Sequence, residues 1–392
     1  MIIEERCFDN TMKKQAKIAI ITFQNSHNCG SMLQALALQH VLKEKFNVDN
    51  EIIDFSNAGQ QAMYKPFWKV TGLKQLVKNI LWLTVLIEIL KQRNAYTAFG
   101  KKYFKLSKSF YSDNKDLYQL NAVYDKYITG SDQVWNIKCM DADDAYYLNF
   151  VNQGMKYAYA VSFGANNPFA DKETRNHYLD LVNDFNRISV REQNAKIWIE
   201  EATGRKVSLC LDPTMLLNQK EWEKLVEIRN TPIIEGNYIF YYCFSISQKI
   251  AKFLNHISKK TGMPVYFLEP KEWALRCCWK NKIHLVGQYG PEAFINVVKY
   301  ASIFFTTSFH GTAFSTIFHK NFWYINSGNN DLSKDDRAVS FLSQLGLINR
   351  YKTIKELEYS DLSQVPDYDL VEEKLHKLKV DSMDYIRSIV ND

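Results

Sequence analysis

Short apolar runs rich in β-branched residues recur along this chain, and most are followed by stretches with apolar residues at helical spacing. Residues 16–22 (AKIAIIT) are the first such run, residues 31–46 keep a helical period, and residues 51–55 are apolar again. This order predicts strand, loop, helix and strand, the βαβ opening of a parallel sheet. The strand pattern resumes at 122–129, 157–163, 187–190 and 207–211. A second alternation starts after Thr231-Pro232 and Gly236-Asn237, with strands expected at 238–244, 265–268, 283–286, 302–306 and 322–325. The reading is an α/β protein of two Rossmann-like doubly wound domains, 1–231 and 232–350, followed by a tail (351–392). The tail is helical and charged from Asp369 to Val390, and could cross back onto the first domain.

Size agrees with two domains, since 392 residues exceed the 250 to 300 or so that one core organises. With 46% hydrophobic and 23% charged residues the chain can build such cores, which excludes a disordered protein. The longest apolar run, 80–90, is broken by Glu88 and is shorter than the roughly 20 residues of a bilayer span. The start, Met-Ile-Ile-Glu-Glu-Arg, does not read as a signal peptide, so a cytoplasmic location is expected. Cys7, Cys29, Cys139, Cys210, Cys243, Cys277 and Cys278 are odd in number and never spaced Cys-x-x-Cys, which argues for buried thiols rather than disulfides, zinc or an iron-sulfur cluster. No metal is expected.

The net charge of +6 is unevenly placed. Residues 64–105 hold nine Lys or Arg against Glu88 alone, a surplus of eight that leaves the rest of the chain at −2. Nucleic acid is therefore not an expected partner of the bulk of the protein. The basic segment also carries Phe67, Trp68, Trp82, Tyr96, Phe99, Tyr103 and Phe104, and a helical period through Leu73, Leu76, Val77, Ile80, Thr84 and Ile87. Two readings stand side by side: a segment that touches a membrane surface, and an ordinary helical insertion that buries its stripe against the first sheet.

In open α/β sheets ligands bind at the carboxyl ends of the strands, and four strand-to-helix loops hold candidate chemistry there. Asn28 and Gly30, in Asn25-Ser26-His27-Asn28-Cys29-Gly30-Ser31, could offer helix amides to an anion, or be plain capping. Gly130, Ser131, Asp132, Gln133 and Trp135 resemble a sugar-binding rim with a stacking platform; a cap and a core tryptophan are the alternative. Arg191 emerges at a strand end as a fork for carboxylate or phosphate, or as a surface pair with Glu192 or Asp212. Ser308, Phe309, His310, Gly311 and Thr312 join a strand to a helix, with His310 poised to move a proton or to serve structure only.

These loops together resemble the polysaccharide pyruvyl transferases. The match runs through Asn28-x-Gly30-x-x-Leu33-Gln34-Ala35, Gly130-Ser131-Asp132-Gln133-Val134-Trp135, Ala160-Val161-Ser162-Phe163-Gly164, Ser189-Val190-Arg191-Glu192, Asp212-Pro213-Thr214 and Ser308-Phe309-His310-Gly311. Cys29 stands where an aromatic is usual, and Asn321 where a proline is common. The resemblance implies a fold similar to the GT-B glycosyltransferases, with the site between the domains, phosphoenolpyruvate as donor and no further cofactor. It implies a sugar or lipid-linked oligosaccharide acceptor, to which pyruvate is joined as a cyclic ketal. Arg191, Arg337 and the amides near Gly311 would hold the donor, and Asp132, Gln133 and Ser162 would face the acceptor. A nucleotide-sugar glycosyltransferase and a non-catalytic sugar-binding relative are the alternatives on the same architecture.

Overall fold

The apolar runs assemble into two sheets in which every pairing is parallel. The computed structural model describes residues 16–326 and 336–392, so the leader and its Cys7 lie outside the described residues. The first sheet contains β1 (Ile18–Ile21), β2 (Asn50–Phe55), β3 (Leu106–Tyr111), β4 (Lys126–Asp132), β5 (Met155–Val161), β6 (Arg187–Val190) and β7 (Ser208–Leu209), in the order β3-β2-β1-β4-β5-β6-β7. The second contains β8 (Ile239–Tyr242), β9 (Val265–Phe267), β10 (Ile283–Leu285), β11 (Ile303–Thr306), β12 (Phe322–Asn326) and β13 (Tyr351–Thr353), in the order β10-β9-β8-β11-β12-β13. Each order runs outward from a central pair, β1 with β4 and β8 with β11, which makes two Rossmann-like units.

Strands covered on both faces need no polar alternation, and β1, β4, β8 and β11 are buried along their whole length. Two strands escaped that signal. β3 (LSKSFY) and β13 (YKT) are sheet-edge strands with polar, partly exposed side chains. β4 also runs later than expected, so Gly130, Ser131 and Asp132 end the strand instead of forming the loop after it.

The helix Cys29–Phe46 follows β1 and is buried nearly all round. It packs on the first sheet and on helix Gly290–Tyr300 of the second unit. One apolar core therefore runs from Ile18, Ile20 and Tyr159 through Leu33 and Leu36 to Phe294, Val298 and Phe304. The tail is a 24-residue helix, Tyr368–Asn391. It starts with Tyr368 stacked on His319 of the second unit and ends on the first sheet. There the Tyr385 hydroxyl donates to the Ala158 carbonyl (2.9 Å), and the Ser382 hydroxyl accepts from Leu211 N–H (2.9 Å).

The basic insertion forms two helices, Leu73–Leu83 and Leu86–Tyr103, parted at Thr84-Val85. Tyr96 and Phe99 of the second join the common core, while Trp82, Val85 and Ile89 form a small core of their own with Ala274. The stripe on the first helix does not pack on the first sheet, as the ordinary-insertion reading required: Leu73, Leu76, Val77, Ile80 and Leu83 are exposed. The six described cysteines are unpaired, with Cys29, Cys210 and Cys278 buried and Cys139, Cys243 and Cys277 half-buried. Among the described residues no helix is long and apolar enough to cross a membrane.

Candidate active site

The two sheets bring the carboxyl ends of their central strands together. From the first unit comes the helix Cys29–Phe46, whose cap residue Asn28 accepts from the amides of Gly30 (2.9 Å) and Ser31 (3.4 Å). From the second comes helix Phe309–Ile317, capped by Ser308. The two helix starts meet where the His310 ring lies against Gly30: a Cβ on that glycine would stand 2.3 Å from the ring Cγ and Nδ1. Only glycine leaves room there, which gives the glycine of the first motif a reason that lies in the fourth. Helix N-termini favour negative charge, and here two of them converge from different domains.

Behind His310 is a buried ionic cluster. Its Nε2 stands 3.5 Å from Asp212 Oδ2, and the same oxygen takes a 2.7 Å hydrogen bond from Arg191 Nη1 and a 3.1 Å bond from the Ser131 hydroxyl. Asp212 Oδ1 accepts from the Thr214 amide and hydroxyl, so the carboxylate is fixed from both sides. Burial alone would raise the Asp212 carboxyl, but His310 and Arg191 outweigh it and hold the group well below the usual carboxylate range. For Glu192 burial prevails over Arg191 and Ser162, and that carboxyl lies above its usual range.

Arg191 is not a surface pair. Its side chain is 3% exposed, with Asp132 at 3.8 Å, Glu192 at 3.5 Å and the Phe309 ring 4.1 Å beneath the guanidinium. Three carboxylates thus surround one buried cation, which is a positioned group more than a free fork. Arg337, half-buried near the start of helix Asp336–Leu345, is close enough to Glu192 to lower its carboxyl. Among the described residues three buried polar atoms of this cluster have no hydrogen-bond partner: His310 Nε2, Arg191 Nε and Glu192 Oε2. Buried polar atoms are rarely left so, and three together are characteristic of a place that receives a ligand or water.

Several expected acceptor contacts lie beneath this surface. Trp135 is fully buried, packed on Tyr147, Phe163 and Phe185 with its indole N–H given to the Tyr146 carbonyl, so it is core and not a stacking platform. Ser131 and Ser162 are buried, the former bonded to the Ala160 carbonyl and Asp212 and the latter to Glu192. Gly130 lies where a Cβ would meet the Tyr159 carbonyl at 2.3 Å. Asp132 accepts from the Ser31 hydroxyl, and Gln133 from Asn136. On the donor side, Ser308 caps its helix, while Gly311 touches the Thr306 side chain and the Thr312 hydroxyl bonds back to the Ser308 carbonyl.

A second set of groups was not singled out from the sequence. Glu269, just past β9, accepts from Gln92 of the insertion at 3.0 Å, and burial raises its carboxyl to about 7. Lys271 is lowered to about 8 by burial and by Arg93, and His27, held between the rings of Tyr64 and Tyr96, is lowered to about 4 by burial, Arg93 and Lys271. Glu269 could have been found by the strand-end rule, and His27 stands inside the first loop motif. A cavity of about 220 Å³ beside that loop is lined by Gln24, Asn25, Ser26, His27, Asp54 and Tyr96, among others. The cavity of about 430 Å³ around His40, Lys43 and Asn47 opens at the opposite end of the first sheet, away from these groups. Among the described residues no set of three His, Cys, Asp or Glu side chains is placed to hold a metal ion.

Comparison with known proteins agrees with this architecture. A structure from Listeria monocytogenes described as a UDP-N-acetylglucosamine 2-epimerase is similar over 93% of this chain and 91% of its own, at 11% identity and a TM-score of 0.52. The S. aureus MnaA–UDP structure is similar over 96% of both chains, at 10% identity and a TM-score of 0.51. At such identities the likeness shows the fold alone, the GT-B type of two Rossmann-like units. No curated protein matches the chain. The family model "Polysaccharide pyruvyl transferase" matches residues 28–329, a span that holds Asn28, Gly30, the ionic cluster of Arg191 and Asp212, and His310. The chain belongs to the polysaccharide pyruvyl transferase family.

Proposed function

We propose that the chain transfers pyruvate from phosphoenolpyruvate to two hydroxyls of one sugar, in a cell-surface polysaccharide or its lipid-linked precursor, forming a cyclic ketal and releasing phosphate. The observation that carries this reading is the trio of buried atoms without a hydrogen bond, His310 Nε2, Arg191 Nε and Glu192 Oε2, where two helix N-termini meet. A donor with a carboxylate and a phosphate matches converging N-termini and the two arginines.

In the reaction a proton goes to the enol C3, a sugar hydroxyl adds to C2, the C2–O bond to phosphate breaks with its electron pair, and the neighbouring hydroxyl closes the ring. Of the two hydroxyl protons released, one balances the proton placed on C3 and the other leaves with phosphate. The donor arrives activated, so the step calls for no further cofactor. His310 is the proton-transfer group and Asp212 its positioning partner; Arg337 faces the donor's anions, and Arg191, enclosed by Asp132, Glu192 and Asp212, holds Asp212 in place behind them. The cavity beside Asn25 and His27 mixes polar groups (Gln24, Asn25, Ser26, Asp54) with Tyr96, Met32 and Phe104, a lining that suits the hydroxyls and the apolar face of a sugar.

The test is incubation with phosphoenolpyruvate and a panel of aryl and lipid-linked sugars, with phosphate release and product mass as readouts. Phosphate release dependent on acceptor, with a product heavier by one pyruvate less one water, is expected. Nucleotide-sugar transfer instead predicts binding of a uridine or guanosine diphosphate sugar and no phosphate from phosphoenolpyruvate, a result that would overturn the proposal. A non-catalytic sugar-binding relative predicts neither.

A further inference from the structure

The helix Leu73–Leu83 presents its apolar side to solvent. Leu73, Leu76, Val77, Ile80 and Leu83 are between 42% and 76% exposed, and Ile87 and Leu90 extend the stripe onto the next helix. In a globular protein such a stripe faces the core. The helix is nevertheless held firmly by its other side. Trp82 is 4% exposed and shares a small core with Val85, Ile89 and Ala274, and the Lys271 ammonium stands 4.7 Å above its ring. Asn79 pins the preceding loop by accepting from Trp68 N–H (3.1 Å) and donating to the Trp68 carbonyl (2.9 Å). The outward orientation is therefore built into the packing.

The rim of this patch is cationic and aromatic. Lys65, Lys69 and Lys74 are exposed, Lys78 lies over the Trp68 ring at 5.1 Å, and Trp68 itself is half-exposed at the edge. From Tyr64 to Ile87 there are four lysines and no acidic residue. We infer that this face is a docking surface for an anionic phospholipid bilayer, with the stripe seated among acyl chains and the lysines at the headgroups. Both halves of the pattern fit that one partner: apolar area alone would suit many, but an apolar face rimmed by lysines and an edge tryptophan, its one acid in sequence (Glu88) already engaged by Lys91 and Tyr289, matches the lipid interface. A second copy of the chain fits poorly, because a twofold contact would set these lysines against themselves with no acid to answer them. The same insertion stacks Tyr64 and Tyr96 on His27, in the loop just before Asn28 and Gly30, so the segment that carries the docking face also braces that loop. The inference does not depend on the reaction proposed above.

The experiment is flotation of the whole protein with vesicles of phosphatidylcholine alone or mixed with phosphatidylglycerol, at low and high salt. Co-flotation with the anionic vesicles at low salt, lost at high salt and on neutral vesicles, is expected. Each lysine changed to Gln among Lys69 and Lys74 should lower partitioning about fivefold, and Ile80→Ser with Leu76→Ser should abolish it. These positions are exposed, so unchanged melting and sedimentation serve as the folding control. No flotation on anionic vesicles at low salt, or flotation indifferent to Leu76 and Ile80, would overturn the inference. So would a dimer in sedimentation that Ile80→Ser dissolves, since the face would then be covered by a second copy.

Discussion

Gly30→Ala is the sharpest probe of the site, because it sets a local gain against a distant clash. Gly30 lies in the first turn of a helix, where alanine is favoured by up to about 1 kcal/mol. The new methyl would stand 2.3 Å from His310 Cγ and Nδ1 and 2.6 Å from its Cβ, against 3.4 Å or more for ordinary contact. The ring must retreat by about 1 Å, and overpacking of this kind costs about 1–3 kcal/mol. The variant should therefore lose about 0–3 kcal/mol in a urea titration. With His310→Gly already in place, which removes the ring and the Cβ together, the clash is gone, and the same change should be neutral or stabilising by up to about 1 kcal/mol. The coupling in this cycle measures the contact between the domains directly. Turnover should fall about a hundredfold in Gly30→Ala, since a catalytic group misplaced by 1 Å costs on that order. An equal stability change in both backgrounds, or normal turnover, would refute the placement of His310 against Gly30.

Three further outcomes are expected. His310→Gln should lower turnover about a hundredfold or more while leaving the melting temperature and donor binding nearly unchanged; early melting with normal turnover would mark a packing residue. Asp212→Asn should destabilise by about 3–5 kcal/mol at neutral pH, because it strips the buried Arg191 of its closest carboxylate. Asp212 is depressed, so its stabilisation is full above the ordinary carboxylate pKa and disappears as pH falls through the folded value; the gap between wild type and variant in denaturant midpoints should narrow only in acid. Glu269 has the opposite sign. Raised to about 7, its charge costs stability above that pH, and Glu269→Gln should stabilise by up to about 2 kcal/mol at pH 8, a modest figure because the side chain is only half-buried. That gain should shrink as pH falls from 7 toward the ordinary range, and a gain constant with pH would contradict the assignment.

The parts of this molecule that depend on local pattern were readable in the chain. Parallel strands buried on both faces leave continuous apolar runs, so β1, β5, β8 and β11 stand out, while β3 and β13, with one side to water at a sheet edge, carry too little of that signal. Motif order located Gly30, Arg191 and His310 and offered Glu192 and Asp212 as partners of Arg191, but not that the pairing is buried or that His310 meets Gly30. That Arg191 is enclosed depends on Asp132, which arrives from another strand end about 60 residues earlier to join Glu192 and Asp212. Trp135 misled for a related reason: a tryptophan after a polar turn looks like a rim, and only the aromatic cluster of Tyr147, Phe163 and Phe185 reveals it as core. Periodicity found the helix of the insertion, yet it contains no information about which way the apolar side turns.

The way the tail helix returns to the first sheet has a consequence for how the protein is made. Tyr385, Ile386 and Ile389 cover apolar surface around Tyr157 and Tyr159, yet they leave the ribosome more than 200 residues after β5. At about 5–20 residues per second this is a wait of roughly 10–40 s, during which that face of the first sheet lacks its cover. The first helix waits as well, since its outer side is sealed by Gly290–Tyr300. The amino-terminal half therefore cannot complete its fold while it is being synthesised. During those seconds the nascent chain presents apolar surface to whatever chaperone stands at the exit, and the final step of burial belongs to a helix translated more than 200 residues after the strand it covers.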